Sequence, residues 1–365
     1  MKKALDNICL ALFGTLLLVV MASCERRPLE VVVEKGINVR INVDWASRFG
    51  QRPTGMTVRL YPADGSAPIT SITNDVDGVD VRLNAGTYYL LVFNQTEDEF
   101  GSMTFSDMQY YSGATAHSAR ATLHGKSGWD DGVDYYADPE PIGVAVDTIS
   151  ISQDMVDDAI SYKRYKKGMT TGHYYEVDTT FTFDEVALPM TTRLNVIVHI
   201  KGIGNMRSVT GYITGMADGF TLYSGHRLNT ACVLPLEGWK GAYVDKDANT
   251  GIVTTSTATF GLPFDKEVLG NRVPEDNRIV LCFTLVDGTT RVFTYDVAQY
   301  IHYRNSDETD PLRDRYSMSL ELDLVLRAPL IEEPELPDVK PDEKGSGFDA
   351  EVNPWEDGGT IDVGV

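Results

Sequence analysis

Apolar and polar residues alternate with a period of two through much of the chain. Val39, Ile41, Val43 and Trp45 alternate with Arg40, Asn42 and Asp44. Val58 and Leu60 sit among Thr57, Arg59 and Tyr61, and Val79, Val81 and Leu83 alternate with Asp80 and Arg82. Such spacing places one set of side chains on a core face and the other in water, the pattern of a half-buried strand. Asn84-Ala85-Gly86-Thr87 reads as a turn. Residues 88–93 form a continuous apolar run of strand length, buried on both faces or set in a sandwich core. Leu194, Val196, Val198 and Ile200 alternate again, with His199 on the opposite face. Residues 279–286 and 289–297 flank Asp287-Gly288, which predicts a hairpin with a two-residue turn at positive φ. Met318, Leu320, Leu322, Leu324 and Leu326 face one way, and Ser319, Glu321, Asp323, Val325 and Arg327 the other.

Helix signal is confined to residues 152–167, where Met155, Val156, Ala159 and Ile160 share a face and Gly168 follows as a stop. Many short strands with polar turns and little helix predict an all-β protein of two β-sandwich domains. The first is expected over 36–186 and the second over 187–328, with the division near Leu188-Pro189.

The N-terminus has a different character. Met1-Lys2-Lys3 precedes a nearly all-apolar run over 8–21, too short for a membrane-spanning helix and right for a signal-peptide core. Ala22 and Ser23 lead to Cys24, a bacterial lipobox with Met21 where Leu is usual. This predicts a lipoprotein signal peptide over 1–23, an acylated Cys24 carrying chains such as palmitate, and a tether over 24–35. Two or three acyl chains give stable anchoring where one does not.

The other end changes again. Residues 331–365 contain 11 Asp and Glu and two Lys, so 2 − 11 gives −9, with four Pro. Residues 329–365 read as an acidic, self-repelling, Pro-rich linker followed by a terminal strand segment. In that segment Phe348, Ala350 and Val352 alternate with acids, Trp355 follows Pro354, and Ile361, Val363 and Val365 close the chain. A strand at the end of a linker can add to a distant sheet edge; it can equally fold back on its own body.

Composition narrows the function. The whole chain carries 53 acidic against 32 basic residues, net −21, which argues against a nucleic-acid partner. The six His, His117, His124, His173, His199, His226 and His302, show no metalloprotease spacing, and there is no nucleophile elbow or P-loop. Gly202-Ile203-Gly204 lacks the third glycine of a dinucleotide fingerprint, since Arg207 stands there. No catalytic residue, metal site or cofactor is assigned, and the protein is read as a non-enzyme. Asp130, Asp131, Asp134 and Asp138 match no calcium loop. Beside them Trp129, Tyr135 and Tyr136 form a candidate loop for a glycan or peptide ligand, or pack as ordinary loop aromatics. Cys232 and Cys282 lie in strand-like stretches and are either one disulfide or two buried thiols.

Taken together these features resemble a family of Bacteroidales lipoproteins of uncharacterised function. The likeness is carried by Cys24 with Arg26-Arg27-Pro28-Leu29, by 84–89 (NAGTYY), by 283–297 (FTLVDGTTRVFTYDV), and by Gly345-Ser346-Gly347-Phe348 with Trp355-Glu356. That family is similar to the fimbrial anchor and fimbrillin-like proteins of the same bacteria. The resemblance implies two tandem transthyretin/immunoglobulin-like β-sandwich domains and an outer-membrane, surface-exposed lipoprotein. It implies an anchor-like or accessory fimbrial subunit, with fimbrial subunits as partners through strand exchange. A fimbrillin that polymerises would instead be cut soon after the lipid, and Arg40, Arg48 and Arg52 are available for that. One departure is that the residues after Cys24 are not the acid-rich run associated with surface export.

Overall fold

The computed structural model describes residues 36–121, 133–166, 180–304 and 321–341. It is all-β, as the alternation predicts, with one α-helix among the described residues. In chain order the strands are β1 Ile37–Asp44, β2 Met56–Pro62, β3 Ile69–Thr73, β4 Gly78–Leu83 and β5 Gly86–Asn94. Next come β6 Met103–Ser106, β7 Thr115–Ser118, β8 Gly143–Ile151, helix α1 Gln153–Lys166, β9 Thr180–Val186 and β10 Leu188–Pro189. The second half holds β11 Thr192–Lys201, β12 Met206–Ala217, β13 Gly219–Thr221, β14 Ala231–Leu236, β15 Lys240–Asp245 and β16 Thr250–Thr259. It ends with β17 Arg278–Leu285, β18 Thr290–Asp296, β19 Ile301–Tyr303 and β20 Glu321–Leu326.

The chain divides into two compact units, one of 1–38, 82–85 and 151–180, the other holding the remainder. In the smaller unit, Ser152 opens α1 by accepting the Met155 N–H on its hydroxyl at 3.1 Å. Val156, on the predicted apolar face, is buried.

In the larger unit the sheets run β4-β1-β9, β10-β8-β5-β2-β3, β15-β16-β11-β20-β19, β14-β12-β17-β18 and β13-β7-β6. The third and fourth face each other across one core. Leu194, Val196, Val198, Ile200, Leu322, Leu324 and Leu326 meet Ile213, Leu234, Ile279, Leu281 and Phe283 there. The alternation of β11 and β20 is thus the alternation of core and outer face. In β5, Leu90 to Phe93 are all fully buried, so that run is covered on both faces. Leu91 and Phe93 join a second core with Met103, Ile142 and Val144, completed by Phe220, Leu222 and Phe260. That core draws residues from both sides of position 186.

Two local expectations are corrected. The β17–β18 hairpin closes with a three-residue loop, Val286-Asp287-Gly288, because Leu285 N–H donates to the Thr289 carbonyl at 2.8 Å. Only Gly288 in it takes positive φ, +83°, as a loop ending in one left-handed residue requires. The acidic linker also starts later than residue 329. Lys201 N–H donates to the Pro334 carbonyl, and Leu336 N–H to the Lys201 carbonyl, both at 2.9 Å. Leu336 is buried in the core, with Ile331 and Val339 packed against it. An apolar side chain at a free core position outweighs the repulsion of the acids around it. Gly202 makes room for this docking: it sits at φ +77°, and a Cβ there would collide with the Leu336 carbonyl oxygen.

Leu336→Ala is therefore expected to destabilise the protein by about 2–5 kcal/mol in urea unfolding, the range for a buried leucine. A linker residue would give almost no change.

Candidate functional site

In an all-β protein the sheet edges decide what can pair with what. The four-stranded sheet ends on β14 and β18. The β14 edge is covered: Tyr136 N–H donates to the Val233 carbonyl at 2.9 Å, and Tyr135 pairs in parallel with Val233. The β18 edge carries Arg291 and Asp296, the latter paired with Arg278 at 2.8 Å. Charge on an edge discourages a further strand.

The five-stranded sheet that ends on β3 lacks such protection. β3 reads Ile-Thr-Ser-Ile-Thr, with no charge and no proline. It pairs with β2 from Met56↔Thr73 to Leu60↔Ile69 and terminates the sheet. Ile69 is 39% exposed and Ile72 63%. Three residues apart, they lie on opposite faces of the strand. β3 is therefore an apolar edge that is open on both faces, the local chemistry that accepts an added strand. No alternation marks it, so the periodicity reading passes over it. Its visible signals are β-branched residues between Pro68 and Asn74-Asp75.

The predicted site residues fall as follows. Cys24, Trp129 and the tail residues Phe348, Ala350, Val352, Trp355, Ile361, Val363 and Val365 lie outside the described residues. Tyr135 is not presented to a ligand. It is buried, its ring edge-on to Tyr212 at 5.5 Å and 75°, in a cluster with Val280 and Cys282. Tyr136 is half-buried against the main core. The physical cause is the pairing with Val233, which draws this segment onto the β14 edge and turns its aromatics inward. Nearby, Asp134 is paired with Arg120 at 3.1 Å.

Cys232 and Cys282 are both buried, and no disulfide joins them. Cys232 stands opposite Met216 and Cys282 opposite Thr210, on either side of β12. Six residues along a strand is about 20 Å, against the roughly 7 Å limit for a disulfide. They also face different ways, Cys232 into the main core and Cys282 toward Tyr135 and Tyr212. Burial, reinforced by Asp218, pushes the Cys232 thiol up to about 12.

One carboxyl in the larger unit is strongly perturbed. Glu185 on β9 is partly buried, hydrogen-bonded to Asp147 on β8 and close to Asp184. Desolvation first, then the charge and hydrogen bond of Asp147, raise it from 4.5 to about 8. The folded state keeps a proton that the unfolded chain loses between these values. Stability from this group is full below about 4.5 and is lost as pH rises through about 8.

The sheets thus define an all-β sandwich protein with one bare edge strand among the edges described above. The chain belongs to the family described as Domain of unknown function (DUF5119), which matches residues 23–237. No curated protein matches it. Among solved structures, a candidate adhesin from Bacteroides ovatus ATCC 8483 is 16% identical with a TM-score of 0.53; the match covers 84% of this chain and 94% of that one. Another candidate adhesin from Bacteroides ovatus is 12% identical at TM-score 0.45, over 80% of this chain and 89% of that one. The fimbrial anchor protein Mfa2 from Porphyromonas gingivalis is 10% identical at TM-score 0.42, over 80% and 90%. The first of these likenesses is one of fold.

Two outcomes are expected. Glu185→Gln should flatten the fall in melting temperature between pH 6 and 9 and stabilise the protein at pH 9 by about 1 kcal/mol, after discounting for solvent screening; thermal scans across pH read this directly. Neither Cys232 nor Cys282 should react with iodoacetamide until denaturant is added, as seen by mass spectrometry.

Proposed function

We propose that the chain is an outer-membrane lipoprotein, held by acyl chains on Cys24 and displayed at the cell surface. In this reading it serves a fimbria as an anchor-like or accessory subunit and performs no catalysis. It joins its neighbours by β-strand addition, with fimbrial subunits as partners. The supporting observation is β3, an uncharged apolar edge with Ile72 63% exposed. A bare edge of this kind is a hazard in a protein that works alone and a docking rail in one that assembles. The fold shared with a candidate adhesin, at TM-score 0.53, agrees with a role in surface attachment. The donated strand lies in 345–365, where Phe348, Ala350 and Val352, or Ile361, Val363 and Val365, supply side chains at every second position.

The alternative of a processed, polymerising subunit concerns β1. Arg40 lies inside β1 and pairs with Asp80 at 2.9 Å and Asp75 at 3.4 Å, so a protease cannot reach its peptide bond without opening the sheet. Arg48 and Arg52 lie beyond β1 at exposed positions, Arg48 in a turn and Arg52 paired with Asp77 at 2.7 Å. A cut there would remove β1 and, with it, the buried Val39, Ile41 and Val43.

Deleting residues 345–365 is expected to leave circular dichroism and thermal unfolding unchanged while abolishing assembly into fimbriae. Ile72→Lys should act likewise from the acceptor side. Normal fimbriae from both variants, by electron microscopy, would overturn strand addition. The intact mass of protein extracted from its membrane should match a triacylated chain beginning at Cys24. A lipid-free chain beginning after Arg48 or Arg52 would replace the anchor reading with that of a processed subunit.

A further inference from the structure

A pocket of about 330 Å³ opens on the outer face of the sheet β15-β16-β11-β20-β19. It is lined by Gln299, Tyr300, His302, Asp323, Val325 and Leu330. The strand period places it there. Ile301, Tyr303, Leu322, Leu324 and Leu326 point into the core, so His302, Asp323 and Val325 point out. His302 and Asp323 are direct register partners across β19 and β20. Gln299 and Tyr300 come from the 3-10 turn Ala298–Tyr300, and Leu330 from the turn that follows β20.

The walls are held by contacts that do not involve any ligand. Both oxygens of Asp323 are bound by Arg304, from Nε at 2.8 Å and Nη2 at 2.7 Å, and Asn195 Nδ2 donates to Oδ1 at 3.1 Å. Burial opposes the charge of Asp323, but these donors and the guanidinium charge outweigh it and keep the carboxyl below its usual range. The turn carrying Gln299 and Tyr300 is clamped from beneath by Arg272, which is 4% exposed. Its Nη1 donates to the Ala298 carbonyl at 3.3 Å and to the Ile301 carbonyl at 2.6 Å. Gln299 Nε2 donates to the Arg272 carbonyl at 3.4 Å. The Tyr300 hydroxyl donates to the Leu330 carbonyl at 3.1 Å, which joins the two walls. Fixed polar groups on rigid elements are the requirement for a specific small-molecule site.

The lining selects the ligand's chemistry. A cation gains little, because Arg304 already answers Asp323 and Glu321. An anion meets the Asp323 carboxylate. A neutral molecule with several hydroxyls finds a carboxylate, an imidazole and an amide, and its C–H surface finds Tyr300, Val325 and Leu330. Hydroxyls around a rim with an apolar face is the chemistry of a sugar ring. The volume is at the lower end for ligand pockets, room for one ring and not for an extended chain. We infer that this pocket binds a single neutral hexose ring, as the terminal residue of a glycan. It is a different place from the Trp129, Tyr135 and Tyr136 loop, and it is independent of strand addition at β3.

The test is saturation-transfer NMR on the full mature chain with the methyl glycosides of glucose, galactose, mannose and N-acetylglucosamine. At least one is expected to bind with Kd of about 1 mM, a free energy near −4 kcal/mol. His302→Ala and Leu330→Ala, both at exposed positions, should weaken it about tenfold with unchanged melting temperature and unchanged fimbrial assembly. No transfer from any of the four overturns the inference, as does transfer undiminished in both variants. Methyl glucuronide is run beside them, and binding confined to this acidic sugar overturns the neutral assignment.

Discussion

Strand β11 must be paired along both sides while one of its faces is sealed from water, and much of the described structure follows from meeting that demand. All ten of its residues pair with β16, and six pair in parallel with β20. Leu194, Val196 and Val198 are fully buried, so a missing neighbour would strand backbone N–H and C=O groups beside a dry core, at about 1–3 kcal/mol each. β20 satisfies the middle of the strand but leaves it after Leu326. The chain then turns through 327–333 and comes back at 334–336 to bond Lys201. That excursion has a second consequence. It sets Leu330 over the outer face, where the Tyr300 hydroxyl holds its carbonyl, and so makes a wall of the pocket above Val325 and Asp323. Completing a strand and shaping a pocket are here the same event.

What could be read from the sequence is what depends on one segment at a time. The alternation in β1, β4, β11 and β20 reports burial directly, because side chains on a strand change face at each step; β2 departs from it, since Thr57 and Tyr61 on its other face are buried as well. The order and direction of neighbours are not local. β20 lies parallel to a strand more than a hundred residues earlier, and no periodic signal distinguishes that from an antiparallel pairing. Leu336 disappeared into an acidic average because composition over a window hides one apolar anchor. Tyr135 and Tyr136 looked available for the converse reason: an aromatic beside acids is ambiguous until its backbone partner, Val233, is known.

The two candidate sites were legible to different degrees. β3 has no alternation, since its isoleucines stand at i and i+3, and only its lack of charge sets it apart once the strand is known to be an edge. The pocket was not legible at all. His302 is an ordinary histidine in the sequence; its register partner Asp323 is 21 residues away, and Arg272, which clamps the neighbouring turn, is 30 away. They converge because the buried guanidinium of Arg272 ties down a turn and because β19 pairs with β20 in one register.

Charge bears on how such a protein can use an open edge. A chain of net −21 repels its own copies at long range, which suppresses indiscriminate pairing between sandwiches. That repulsion is screened beyond about 8 Å at physiological salt, so it governs encounter more than contact. At contact the local chemistry decides. β18 presents Arg291 and Asp296, and a second strand laid there has to match or bury those charges. β3 presents only hydroxyls, methyl groups and backbone, so an incoming strand there removes apolar surface from water with no charge to desolvate. Strong repulsion at a distance with one neutral edge at close range favours an incoming strand that is delivered on a flexible tether over one that collides as part of a second folded body. A tethered strand raises its own local concentration, and that advantage does not depend on overcoming the charge of a whole subunit.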